Sequence, residues 1–83
     1  MIFFATSRAG FDALVASSGW PVEALWVAAG VLSDDEVASL RASGLELSCF
    51  TEAADYAKWG VLGSAIDTIK EHHPDRVVWA DAP

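Results

Sequence analysis

Thr6-Ser7-Arg8 sets two hydroxyls and a guanidinium directly after an apolar run, the grouping in this 83-residue chain best suited to holding an anion. A hydroxyl at a helix start accepts from the free backbone N–H groups of the first turn, and those N–H groups can also bind a phosphate. Arg8 adds charge and a planar donor fork. Asp81 follows the last apolar run and is the polar group at the far end of the chain, where its charge would oppose an anion. No glycine-rich loop accompanies these residues, so nothing lets a pyrophosphate approach the backbone. Against ligand binding by Ser7, Arg8 and Asp81 stands a plainer reading: a helix cap, a surface arginine and a tail.

The other reactive residue types are better explained by structure. Ser33, Asp34, Asp35, Glu36, Glu52 and Asp55 are expected to cluster at one edge of the sheet, and grouped carboxylates can hold Mg²⁺ or exchange protons. Ser33 with Glu36 three residues on is a capping box, and acidic side chains are favoured in a first helical turn, so capping accounts for the first four. His72 and His73 are adjacent and on a helix point about 100° apart, which is poor geometry for sharing a metal. Glu71-His72-His73 lacks the spacing of the zinc-hydrolase motifs. Cys49 has no histidine near it in sequence and lies in an apolar alternation, so it reads as a small core residue. The sequence therefore implies no catalytic residue, no metal and no cofactor.

Twelve acidic residues against five basic ones give a formal charge of −7. Nucleic-acid affinity rests on Lys and Arg neutralising phosphates, and the five here are scattered, which argues against direct nucleic-acid binding. The same charge suits solubility and a basic protein partner, and allows a nucleic-acid mimic without specifically indicating one. Apolar residues make up 53% of the chain, more than the ~45–50% of ordinary soluble domains, and a partner can cover such a surplus. No apolar stretch reaches the ~18–20 residues of a membrane span, and Met1–Ala5 has no basic region before it, so neither a membrane segment nor a secretory signal is expected. One cysteine cannot form an internal disulfide, which fits a cytoplasmic location.

The elements that position these residues can be read from four apolar runs, at residues 2–5, 24–29, 45–50 and 77–80. Strands alternating with helical stretches mark a single small α/β domain with a mainly parallel sheet. Thr6 or Ser7 caps a first helix along Phe11, Leu14 and Val15, and Gly19 closes it before the Trp20-Pro21 turn. Ser33 caps a second, with Val37 and Leu40 on one face and Gly44 at its end. Leu45, Leu47 and Cys49 alternate with Glu46 and Ser48, and a charge within a strand is a common protection for a sheet edge, so this strand is placed at an edge. Thr51 is the next cap expected. Residues 52–73 read either as one helix, with Trp59, Leu62, Ile66 and Ile69 on one side, or as two helices broken at Trp59-Gly60. Trp26 and Trp79 are expected in central, buried strands.

The order β-α-β-α-β-α-β has its longest connection before the last strand. A long helix suits a return across the sheet, which favours the strand order 3-2-1-4 and a three-layer domain, with a mixed sheet as the alternative. Ligands in such sheets bind where the winding reverses, beyond the strand ends, and here that crevice lies between the first and fourth strands. Trp20, Tyr56 and Trp59 fall near turns, and aromatic residues of this kind are enriched at interfaces. Two functions follow from the sequence. One is a non-catalytic protein-interaction module that self-associates, as a homodimer for example, through Glu46 and Ser48 of the third strand or through Trp20, Tyr56 and Trp59. The other is a phosphate- or nucleotide-binding or enzymatic domain that uses Ser7, Arg8 and Asp81.

Overall fold

A computed structural model describes residues 1–81; Ala82 and Pro83, the remainder of the expected tail, lie outside the described residues. The elements follow in the order β1 (Ile2–Ala5), α1 (Arg8–Ala16), β2 (Ala24–Val27), α2 (Asp34–Ala42), β3 (Glu46–Cys49), α3 (Trp59–His72) and β4 (Val78–Ala80). The four strands form one parallel sheet in the order β3-β2-β1-β4, as the sequence predicts.

Strand alternation sorts the apolar side chains into two layers. Ala5, Leu25, Val27 and Leu47 meet Phe11 and Leu14 of α1, with Val37 and Leu40 of α2 packed against them. Ile2, Phe4, Ala24 and Trp26 meet Leu62, Ala65 and Ile69 of α3 on the other face. Because β1 and β2 are covered on both faces, every residue of β2 is buried, as in other doubly covered parallel strands.

The caps follow from side-chain chemistry. Ser7 accepts from the Gly10 N–H, and Ser33 and Glu36 form the reciprocal capping box. Gly44 takes φ 98° just beyond α2, a left-handed turn that a residue without Cβ makes easily. The Trp20–Pro21 peptide is cis.

Three expectations fail. Residues 52–73 are neither one helix nor two: Thr51 caps nothing, and a loop runs to Lys58 before α3 begins. The Asp55 carboxylate accepts from the Ala57 N–H at 3.1 Å, and the Lys58 N–H donates to the Asp55 carbonyl at 3.2 Å, so Asp55 turns the chain where helix was expected. That turn lets Tyr56 drop edge-on against Phe4, with ring centroids 5.1 Å apart. Trp79 is 57% exposed rather than buried, because β4 is an edge strand and not a central one. Cys49 is exposed as well, since it ends the other edge strand, beyond the cover of α2.

Candidate functional site

The crevice where the winding reverses lies between the carboxyl ends of β1 and β4, and the chain fills it with its own side chain. Asp81 Oδ1 accepts from the Thr6 N–H at 2.6 Å, and Oδ2 accepts from the Ser7 hydroxyl at 2.8 Å. The Thr6 hydroxyl donates to the Asp81 carbonyl at 2.8 Å and lies 3.1 Å from Oδ2. Ser7 Oγ in turn accepts from the Gly10 N–H at 3.0 Å. A Cβ on Gly10 would overlap the Asp81 carboxylate, so this glycine is what lets the carboxylate seat against the first turn of α1. A negative group at a helix N-terminus is favoured by the free N–H donors and the helix dipole. Here that group is internal, and its physical effect is to fasten the end of β4 to the start of α1.

Ser7 and Asp81 are thus brought together, but Arg8 is not. Its guanidinium turns away toward α2, where Nη1 donates to both Glu36 oxygens at 2.8 and 2.7 Å. Nε donates to Asp12 at 3.1 Å, one turn along α1. The Glu36 hydrogen bond raises the Arg8 pKa above its ordinary value. The Ser33 N–H first, and Arg8 second, hold the Glu36 carboxyl below its ordinary value. Arg8 is a strap between two helices and makes no hydrogen bond to Asp81. Two grooves among the described residues lie elsewhere. One of about 410 Å³ sits at the amino end of β2, between Trp20 and Leu45, and one of about 360 Å³ lies between α1 and α2. Among the described residues, no group of three His, Cys, Asp or Glu side chains could hold a metal ion.

The residues expected at an interface separate. Tyr56 is buried in the layer beneath α3, and burial pushes its hydroxyl pKa up. Trp20 is half-buried edge-on to Phe11, centroids 6.3 Å apart. Glu46 and Ser48 share the face of β3 that looks toward α3. Glu46 Oε1 lies 4.0 Å from His73 Nε2, which accepts from the Trp26 indole N–H at 3.4 Å. Only Trp59 stands free, 82% exposed at the start of α3.

Beyond Met1 and Val15, which are 42% and 40% exposed, two residues absent from those expectations join Trp59 as the most uncovered large apolar groups among the described residues: Val77, 66% exposed, and Trp79. Val78 and Ala80 pack toward α3, so Trp79 points to the opposite face, where α1 and α2 cover β1, β2 and β3. The signal that could have found them is topological. Each of the first two crossover helices packs over the strands it joins, and the strand order then leaves β4 outside both.

Comparison with protein-family models, with curated proteins and with solved structures finds no match to this chain. No helix among the described residues is long and apolar enough to cross a membrane.

Proposed function

We propose that this protein is a non-catalytic interaction module that associates with itself. The observation that carries this reading is the position of two uncovered apolar side chains, Trp79 on an open edge strand and Val77 immediately before it. Occupation of the strand-end crevice by Asp81 supports the same reading and counts against phosphate or nucleotide binding there. An anion would have to displace a carboxylate already held by the Thr6 N–H and the Ser7 hydroxyl, while Arg8 is engaged by Glu36 and Asp12.

Sedimentation velocity from low micromolar to near-millimolar concentration tests it. The expected result is a reversible shift from monomer to dimer. A monomer throughout would overturn the reading. A thermal-shift panel of inorganic phosphate, nucleotides and divalent cations is expected to leave the melting point unchanged. A ligand at a hundredfold excess over its Kd would add about 2.7 kcal/mol of stability, and such a shift would restore the binding reading.

A further inference from the structure

We propose that the second copy joins along β4, antiparallel and about a two-fold axis beside Trp79, so that two four-stranded sheets continue as one. This inference rests on the self-association proposed above and specifies its surface and register.

The backbone decides which groups are free to pair. Ile2 N–H donates to the Val77 carbonyl at 3.1 Å, so Val77 presents its polar groups to β1. Successive residues of a strand point these groups to opposite sides, so Trp79 also bonds inward while Val78 and Ala80 present N–H and C=O outward. Among the described residues no side chain caps these outward groups. An antiparallel copy centred on Trp79 places Val78 opposite Ala80 of the second copy, and Ala80 opposite its Val78. Each such pair exchanges two hydrogen bonds, and the donors and acceptors complement themselves. Trp79 then faces its symmetry mate as a non-hydrogen-bonded pair, the close kind, with Cα atoms about 4.5 Å apart. Both rings lie on the face that α1 and α2 leave bare.

The other face agrees. Val61 and Thr68 of α3 border the loop that carries Phe50 and Tyr56. Trp59 and Ile66, seven residues apart, share the opposite flank of the helix, the one toward β4. Apolar groups therefore flank the open strand above and below. A standard interface takes about 800 Å² per partner. That is roughly one-sixth of this chain's 5023 Å², within reach of a strand edge that bears Trp79 together with Trp59 of α3.

Charge favours a second copy over a basic partner. Residues 58–80 hold Lys58, Lys70 and Arg76 against Asp67, Glu71 and Asp75, a formal balance of zero, so the full −7 lies in the rest of the chain. A basic protein would be drawn to that remainder. The neutral edge meets its own copy with no local repulsion. The β3 edge offers no equivalent, because Arg41 already occupies the outward carbonyl of Leu47.

Amide hydrogen exchange on the unmodified chain, followed across the concentrations used for sedimentation, tests the register. Protection of Val78 and Ala80 is expected to rise with concentration, while Trp79 is protected in the monomer too. Ala80→Pro removes only an outward N–H, a substitution an edge strand tolerates, so the variant should keep the circular-dichroism spectrum of the parent and lose the dimer. In a Cys49→Ser background, Trp79→Cys should oxidise to a cross-linked dimer, since the facing Cα atoms lie within disulfide range. A dimer that survives in folded Ala80→Pro, or concentration-dependent protection at Leu47 and Cys49 instead, overturns the β4 register and leaves self-association standing. A chain monomeric at every concentration removes both. The exchange experiment decides even where the proline variant unfolds.

Discussion

At the β3 edge, Arg41 Nε and Nη2 donate to the outward carbonyl of Leu47 at 3.2 and 2.9 Å, and the strand carries Glu46 on the face toward α3. At the β4 edge, Val77 and Trp79 are exposed, as is Trp59 on α3, and among the described residues no side chain caps the outward groups of Val78 and Ala80. The charge follows the same division. Residues 34–55 hold six carboxylates against Arg41, a net −5, whereas residues 58–80 are neutral. Charged side chains and capped carbonyls are how sheets discourage strand addition, and an apolar open strand invites it. The difference teaches that the two ends of one small sheet differ in how open they are to strand addition, and the proposed self-association assigns that task to β4 alone.

The largest test of that contrast is at Asp81, which holds the open strand in place from its end. Asp81→Ala removes a carboxylate that accepts from the Thr6 N–H and the Ser7 hydroxyl. Hydrogen bonds to a charged group contribute ~1.5–3 kcal/mol each, so urea denaturation should show a loss of about 3 kcal/mol, with β4 amides exchanging first. Glu46→Ala on β3, which changes only an exposed side chain, should cost under about 0.5 kcal/mol. Gly10→Ala sharpens the same point by a change of sign. With Asp81 present, the new Cβ collides with the carboxylate and destabilises the fold. In an Asp81→Ala background the collision is gone, and the helix preference for Ala over Gly should stabilise α1 by ~0.5–1 kcal/mol. If Gly10→Ala behaves alike in both backgrounds, Asp81 is not what seats against α1.

A second way to break the comparison is to make the closed edge resemble the open one. Arg41→Ala frees the Leu47 carbonyl from two part-buried bonds of one guanidinium and should cost about 1.5 kcal/mol, the low end for hydrogen bonds involving a charged group. Combined with Glu46→Val it leaves two open edges on each molecule. Light scattering should then report species growing past the dimer, because pairing at both edges does not close. A double variant that remains no larger than the parent would show that Arg41 and Glu46 do not protect β3.

Much of this was legible in the sequence, and the parts that were not fail for physical reasons. The strand order followed from one long connection, and the Ser33–Glu36 capping box from a spacing of three. Both are local signals. Asp55 as a turn-former was hidden because Trp59, Leu62, Ile66 and Ile69 have helical spacing and the stretch before them contains nothing that forbids a helix. The exposure of Trp79 was hidden because Val77-Val78-Trp79-Ala80 is apolar at every position, as a strand covered on both faces would be. Apolar content cannot tell a covered strand from one that another molecule covers. At the candidate site, Ser7 and Asp81 were placed on facing strand ends, but their mutual bond was not, since a hydroxyl and a carboxylate can equally serve a ligand. The partner of Arg8 lies 28 residues away on α2, and no local pattern encodes that pairing.

The smallest expected effect concerns the acidic side itself. Glu36 accepts from the Ser33 N–H at 3.0 Å and from Arg8, and both favour its charged form. Its folded pKa therefore lies below the ordinary 4.5. The sign of the linkage follows: the contribution is complete above about that ordinary value and is lost as pH falls through the lowered one. Carbon-detected titration of the Glu36 carboxyl should show a midpoint below 4.5. Arg8→Ala should move that midpoint upward yet leave it below the ordinary value, because the Ser33 N–H, the larger influence, is untouched. Glu36→Gln should remove the corresponding part of the acid-dependent stability while leaving dimer formation at neutral pH as it was, since Glu36 belongs to the closed half of the molecule. A Glu36→Gln chain that no longer dimerises would mean that the acidic α2 region and the neutral β4 edge are coupled, and the division of tasks between the two edges would not hold.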